Sequence, residues 1–473
     1  MIATIDDVHC LFSGGSAAAE KAIGEACSWM VAGAKWSEAY KSKQWDGFVH
    51  LHKKTADGIA VPIGLMRDCM IAARSCGDRI KTTDLRALPR AEVFGWNPKI
   101  TLRDHQAEAI AAIDRCGIHR GIGTIKMPIR SGKTITGAAV IRALACPALF
   151  VVPTRELARQ ALRDLGECLQ EEIGIIGEGE WLERRCTVAI AGSLAAARRT
   201  ARRTGRKEWK KMRGKWGLAI VDEVHHMCGG AWTAAVESLR CRYRIGLSAT
   251  AYFELGSEVE RGILRARALC GGIVHDISIS RMVDEGYLIA PDVTIHKIEV
   301  PGIDKLPWGA TLQARGLQAA ARNKIIVREA GKIAARGGRC IVVCSRLDHV
   351  ANLGRLMSAA GIAHSELVGP TSDEDRIAAR RDLVSGLRPI AISTVLGEGV
   401  NLPEVDAVIV ADGGKDPKAV TQKMRCLTPA PGKVRAEVHD FLDVGNRYLL
   451  RHSEARIEAY KSESAFRVHM TGL

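Results

Sequence analysis

Nowhere in this chain of 473 residues do two cysteines form a C-x-x-C pair, although it has 14 of them. The tightest spacings are Cys340 with Cys344, inside the apolar run "CIVVCSR", and Cys69 with Cys76. That lack argues against a zinc site and against a disulfide framework, and leads us to expect free thiols in a reducing cytoplasm. Uncharged apolar runs of the ~18 residues a membrane helix needs are also missing. The opening "MIATIDDVHC" lacks a basic stretch followed by an apolar run, so no secretory signal is expected. Acidic residues are in deficit: Asp+Glu number 53 against 68 Lys+Arg, a formal net charge of +15. Such a surplus favours a polyanionic partner, nucleic acid above all. Hydrophobic residues at 47% with 26% charged exclude wholesale disorder. The length is too great for a single core and predicts two to four domains.

From about residue 100, short β-branched runs alternate with amphipathic helical stretches. "PALFVVP" (147–153) leads into "TRELARQALRDLGECL", and "WGLAIVDE" (216–223) and "YRIGLSAT" (243–250) are further strand-like runs. The pattern restarts at "DVTIHKIEV" (292–300) and continues through "RCIVVCS", "RPIAISTV" and "VDAVIVAD". Interleaved strands and helices predict parallel sheets covered on both faces. The expectation is α/β: two tandem domains, 99–291 and 292–448, behind a small α+β domain at 1–98, with 449–473 as a helical tail.

Two motifs carry chemistry. "MPIRSGKTIT" (127–136) ends like a phosphate-binding loop, in which backbone N–H groups at a helix N-terminus surround phosphate oxygens. The pattern G-x-x-x-x-G-K-[ST] wants glycine where Met127 stands, so the loop alone is a weak signal, with a basic turn before a helix as the bland alternative. "AIVDEVHH" (219–226) places Asp222 and Glu223 at the C-terminal end of a strand, the edge where open α/β sheets bind ligands. Asp-Glu alone would favour a solvated acidic turn. Lys133 and Asp222 together, each at a strand end, favour a site with magnesium on the Asp and an attacking water on the Glu.

In order, "LRDHQAEAI" (102–110), "PIRSGKT", "VVPTRELARQ", "VDEVHH", "LSAT" (247–250), "TVLGEGVNLP" (394–403) and "TQKMRCLTP" (421–429) resemble the motifs of superfamily 2 helicases. The match covers roughly residues 100–440, in the D-E-x-H branch, and Met or Ala often stands in that superfamily where Met127 is. The resemblance implies two RecA-like domains that bind ATP and Mg²⁺. Arg103 and Gln106 would meet the adenine, and Ser131, Gly132 and Lys133 the phosphates. Thr134 and Asp222 would hold Mg²⁺, while Glu223 would position the water. Glu398 and Gly399 would complete the nucleotide contacts. His225, Ser248 and Thr250 would couple nucleotide state to grip. Pro153, Thr154, Arg155 and Thr394 would touch the nucleic-acid backbone. The last motif, usually Q-x-x-G-R-x-x-R, keeps Arg425 as a catalytic arginine but has Met424 at the glycine and Thr428 at the second arginine. A transition-state arginine is worth about 10³–10⁵ in rate. Three alternatives follow: one arginine serves alone, Arg435 or Lys423 stands in, or the ATPase is weak.

"YKSKQWDGFVHLHKKTADGIAVPIGL" (40–65) resembles the small N-terminal domain of phage UvsW-type recombination helicases, which implies a duplex- or junction-binding accessory domain. The alternation around "TADG" independently reads as a β-hairpin. Trp45 is a candidate DNA contact, with a core anchor the equal alternative. Between Arg198 and Lys215 stand ten Lys/Arg against Glu208. A solvated charged face is the bland reading. The functional one is sequence-nonspecific backbone contact by Arg202, Arg203, Arg206, Lys210 and Lys211, with Trp209 and Trp216 stacking. No spaced carboxylate cluster suggests a nuclease. The expected function is an ATP-dependent DNA helicase or translocase, phage-encoded and acting in the cytoplasm of a bacterial host. The rivals are an XPB-like or restriction-type duplex translocase, an RNA helicase, and a DNA-binding protein with a vestigial ATPase.

Overall fold

The computed structural model describes the chain except residues 32, 115–119, 129, 206–207, 228–229, 250–260, 308, 370, 395–403, 415–424, 432, 434 and 472–473. It divides into two compact units, Met1–Met127 with Gly132–Asp276, and Pro128–Ser131 with Ile277–Leu473.

The first unit opens with strands β1 (Ile2–Ile5), β2 (His9–Ser13), β3 (Ser28–Met30), β4 (Phe48–His50), β5 (Lys53–Thr55), β6 (Gly58–Pro62) and β7 (Lys81–Asp84). Five of them form a sheet in the order β5-β6-β2-β1-β7, and β3 pairs with β4 apart from it. The expected hairpin is β5–β6, closed at Thr55↔Gly58, whereas Phe48–His50 pairs instead with Ser28–Met30. Helices Ala17–Ala26, capped by Ser16, and Met66–Ser75 cover the sheet. Their core, including Phe12, Ile23, Val61 and Met70, also takes in Ile122, Leu264 and Ala268. The N-terminal sheet is thus packed onto the α/β part of its own unit. At the contact, a Cβ on Gly64 would sit 2.2 Å from the Arg267 carbonyl oxygen, so only glycine allows so close an approach. Arg267 Nη2 donates to Asp68 Oδ1 at 2.7 Å beside it.

The α/β part holds β8 (Ile122–Lys126), β9 (Ala148–Val152), β10 (Gly174–Gly177), β11 (Glu180–Leu182), β12 (Cys186–Ile190), β13 (Leu218–Asp222), β14 (Tyr243–Ser248) and β15 (Ile273–Asp276). Their order is β11-β10-β12-β9-β13-β14-β8-β15, parallel throughout except for the β10–β11 hairpin. β9, β12 and β13 are buried along their whole length, which is why they read as continuous apolar runs.

The second unit repeats the design with β16 (Pro291–Ile298), β17 (Cys340–Val343), β18 (His364–Leu367), β19 (Ile390–Ser393), β20 (Ala407–Val410), β21 (Ala436–Asp443) and β22 (Arg467–Thr471), ordered β18-β19-β17-β20-β21-β16-β22 and parallel. The fold is α/β with two RecA-like sheets. The unit begins before residue 292: Ile279 and Ser280 donate backbone N–H groups to Glu463, which ties helix Ile279–Asp284 to this unit. The tail is not helical throughout. Its helix spans Arg447–Lys461, and "RVHMT" then adds an edge strand to β16, where the open edge offers backbone partners that an isolated helix end lacks.

Two buried histidines give this unit an acid-sensitive core. His349 is 3% exposed with Nε2 2.9 Å from Asn323 Oδ1, and burial, then Arg322, pushes its pKa down to about 4. His296 lies 3.1 Å from His439, and burial, then that neighbour, takes it to about 4 as well. The unfolded chain binds these protons near 6.5, so the stability they confer is present above that pH and is lost as pH falls towards 4. Denaturation midpoints of the second unit are expected to drop steadily from pH 6.5 to 4.5, and less steeply in a His349→Asn variant. Parallel curves for the two proteins would refute this.

Candidate nucleotide and nucleic-acid site

β8, β14 and β13 are adjacent and parallel, so their C-terminal ends lie side by side, with Leu247 opposite Asp222 and Ser248 opposite Lys126. Three motifs far apart in sequence meet at this edge. Met127 resolves the oddity of its own motif. It is fully buried, and its backbone N–H donates to the Ser248 carbonyl at 2.9 Å. The residue therefore continues the strand's core packing, and the loop turns after it. Ser131 Oγ donates to the Pro128 carbonyl at 2.7 Å and closes that turn.

Gly132 is the N-cap of helix Lys133–Leu144, with φ of 79°. The positive φ strains any other residue there, and a Cβ would sit 2.4 Å from Gln106 Nε2 and push that side chain from its place. Gln106 is 1% exposed. Its Oε1 accepts from the Arg103 N–H at 2.9 Å, and its Nε2 reaches the Gly132 carbonyl at 3.5 Å. The expected adenine-contacting residues thus brace the loop from behind. Thr134 follows half-buried in the first helical turn.

Lys133 Nζ is ion-paired with Glu223 Oε1, and both side chains are largely withdrawn from water. Glu223 has a left-handed backbone, φ 47°, at the sharp end of β13, and its N–H donates to Asp222 Oδ1 at 3.0 Å. Burial works against the Glu223 charge, but Lys133 and then His225 outweigh it and hold the carboxyl below its usual range. Asp222 is the opposite case, pushed up to about 7 by burial and by the Glu223 charge. His225 Nδ1 lies 2.8 Å from Ser248 Oγ and 3.5 Å from Glu223 Oε2. Lys133, Glu223, His225 and Ser248 are therefore one polar chain running along the strand ends.

The residues fit ATP and a magnesium ion. Helix Lys133–Leu144 starts at a glycine, the cation at its first position is paired with a carboxylate, and Glu223 Oε2 is buried without a hydrogen-bond partner among the described residues. Asp222, raised by desolvation, is a carboxylate that a divalent cation would stabilise in its charged form.

Thr154 is exposed and caps helix Arg155–Leu169, with Oγ1 accepting from the Leu157 N–H at 3.3 Å; Arg155 beside it is exposed and Pro153 buried. In the second unit Thr394 follows β19, half-buried. Thr250, Arg206, Glu398, Gly399, Lys423 and Met424 lie outside the described residues, as does the Arg425 side chain. Thr428 is 4% exposed, and its carbonyl accepts from Lys433 Nζ at 2.9 Å, while Arg435 is exposed. Arg202 and Arg203 end helix Ala191–Thr204, Lys210 and Lys211 lie on helix Glu208–Met212, and all four are exposed with no ion pair among the described residues. Two expected stacking residues need correction. Trp216 is 2% exposed inside the core with Leu149, Val221 and Leu239, and Trp209 packs against the same cluster. Their indoles fasten the basic segment to the domain. Trp45 is half-buried and donates Nε1–H to the Phe48 carbonyl at 2.7 Å.

Residues 99–253 match the family described as type III restriction enzyme, res subunit, and residues 322–425 match the helicase conserved C-terminal domain. Over these two segments the chain is similar to the helicases of superfamily 2. Among curated relatives, the chain is 26% identical over 364 residues to "Putative DNA 3'-5' helicase Rad25" of Haloarcula marismortui, covering 73% of this chain and 54% of that one. It is 23% identical over 406 residues to "Probable helicase D10" of Escherichia phage T5, covering 84% and 82%. The chain thus spans about half the length of the archaeal relative and most of the phage one. T4 UvsW aligns over 100% of this chain and 99% of its own at 17% identity and a TM-score of 0.44.

Sequence reasoning singled out Trp45 and passed over Trp36, which is 81% exposed. The signal was available, since "AKWSEAYKSK" sets Trp36 among lysines in the same stretch.

Proposed function

We propose that this chain is a superfamily 2 ATP-dependent DNA helicase or translocase, phage-encoded, that acts on branched or duplex DNA in recombination, replication or repair. The observation that carries the reading is the continuous polar chain Lys133–Glu223–His225–Ser248 along three strand ends. Lys133 binds phosphate charge, and on leaving Glu223 it frees that carboxylate to orient a water and take its proton. Thr134 and Asp222 would hold a magnesium ion, which neutralises charge on the phosphate oxygens. His225 reads the state of Glu223 on one side and meets Ser248 on the other, a route by which hydrolysis alters the grip on nucleic acid. DNA is favoured as the partner by the +15 charge, by the exposed Arg202, Arg203, Lys210 and Lys211, which make no ion pair among the described residues, and by relatives named as DNA helicases.

A second reading, a DNA-binding protein with a vestigial ATPase, rests on Thr428, which is buried under Lys433 where a second arginine is usual. ATP hydrolysis with and without a four-way DNA junction separates the two. The motor reading expects turnover to rise at least about tenfold on adding DNA, with duplex RNA a poor substitute. No turnover despite junction binding would sink it in favour of the second reading.

A further inference from the structure

Between β3 and β4 the described residues 31 and 33–47 form an excursion from the two-stranded ladder. Its base is tied by the Val31 N–H to the Gly47 carbonyl at 2.8 Å and by the Trp45 N–H to the Ala39 carbonyl at 3.0 Å. Gly47, at φ 83°, lies against the Tyr40 ring, where an added Cβ would come to 3.0 Å. Ser37 caps helix Glu38–Lys41 through Tyr40. Trp45 anchors this base. Trp36 does not: it ends the short helical turn Ala34–Trp36 that Gly33 starts in a left-handed conformation, and its side chain projects into solvent. Such exposure of the largest apolar side chain, held on an internally bonded platform, is a feature that a monomer's own stability does not require.

Its surroundings specify the ligand. Lys35, Lys41 and Lys43 are exposed and make no ion pair among the described residues. On the neighbouring hairpin, Lys53 and Lys54 are exposed as well. Of the two acids in the segment, Asp46 is occupied by the Phe48 N–H and by His50, at 2.9 and 2.7 Å. Met30 and Phe48, paired across β3 and β4, add partly exposed apolar surface next to the excursion. A flat π-face in a segment whose three exposed lysines make no ion pair among the described residues suits a nucleic-acid base with its flanking phosphates better than an apolar protein surface, which would leave the lysines uncompensated.

We infer that Trp36 is the base-stacking residue of this chain: at a DNA branch point it covers the base face that the branch leaves unstacked, while Lys35, Lys41 and Lys43 hold the adjoining phosphates. The inference rests on the proposed DNA function and adds where the accessory domain reads structure in DNA. A continuous duplex presents no free base face, so stacking selects branched DNA over linear DNA. Lysine contacts, by contrast, strengthen binding to both.

The test uses the full chain and measures dissociation constants for a four-way junction and for a blunt linear duplex of the same total length, at two salt concentrations. Trp36→Ala is expected to weaken junction binding about tenfold and linear-duplex binding by less than about twofold. Trp36→Phe, which keeps a smaller ring, is expected to recover most of the loss. Trp181→Ala, removing an exposed tryptophan on β11, is the control for losing surface aromatic area and should bind like wild type. Changing Lys35, Lys41 and Lys43 to Gln should lower the slope of log affinity against log salt by about 2–3 on both DNAs. Junction affinity of Trp36→Ala equal to wild type overturns the inference, and points to a protein or a second copy as what covers Trp36. Failure of the wild-type chain to bind either DNA would instead defeat the DNA reading itself, an outcome the same titration reveals before any variant is compared.

Discussion

Lys133→Ala is expected to lower ATP turnover by at least about 10²–10³-fold, with nucleotide affinity falling as well. Two losses add. The cation that meets phosphate charge is gone, and the Glu223 carboxyl is left in a buried site that disfavours its charge, with His225 the main remaining compensation. Its affinity for protons then rises, and a protonated Glu223 cannot accept a proton from water. Glu223→Gln separates the two effects, because it removes the base and leaves the Lys133 cation in place. That variant should bind ATP as well as wild type or better while hydrolysing it about 10²–10³-fold more slowly. Steady-state hydrolysis together with equilibrium nucleotide binding checks both. Retention of more than a tenth of wild-type turnover by Lys133→Ala would mean that hydrolysis does not run through this loop.

The pair could be foreseen because both residues are defined by local pattern: one follows a glycine before a helix, and the other ends an apolar strand. Adjacency of β8, β14 and β13 then brings them together, and parallel α/β topology makes that adjacency the ordinary outcome. What could not be read locally depends on tertiary packing. Trp36, Trp45 and Trp216 all stand among lysines or arginines in the sequence, yet they end as an exposed face, a half-buried anchor and a core residue. Nothing within a few residues of each distinguishes them, because the difference lies in which other elements cover them. The seating of the N-terminal sheet on helix Arg261–Cys270 is similar. It depends on Gly64 and Asp68 meeting Arg267 and Ala268, contacts across some 200 positions that periodicity does not encode. The terminal strand β22 was missed for a related reason. A strand of exposed and half-exposed residues has no alternating apolar face of its own and becomes a strand only because β16 offers it an edge.

The tail helix carries the largest expected effect on stability. Arg456 and Asp440 are 2% and 0% exposed, and their bond is two-pronged, Nε to Oδ2 at 3.0 Å and Nη2 to Oδ1 at 2.9 Å. Tyr460 donates its hydroxyl to Oδ2 at 2.8 Å, and Arg456 Nη1 reaches the Gly414 carbonyl at 2.7 Å. Asp440 thus ties helix Arg447–Lys461 to β21, the strand beside β16. Burial works against the Arg456 charge, but Asp440 more than offsets it and holds the guanidinium above its usual range. Asp440→Ala leaves that charge in the core without its bonded counter-ion, with only the more distant Asp443 acting on it, and also strips the Tyr460 hydroxyl of its acceptor. The cost expected from breaking one side of a buried pair is about 3–5 kcal/mol. For a unit of about two hundred residues that corresponds to a fall of roughly 10 °C in its melting temperature. Removing both charges together, as Asp440→Leu with Arg456→Met, should recover most of the loss, because the penalty comes from the orphaned ion and not from the missing bond. Thermal unfolding of the two variants beside wild type decides the matter. A double variant no more stable than Asp440→Ala would show that the ion pair itself holds the tail helix in place, whereas recovery would assign that task to the buried apolar contacts of Leu449 and Ile457.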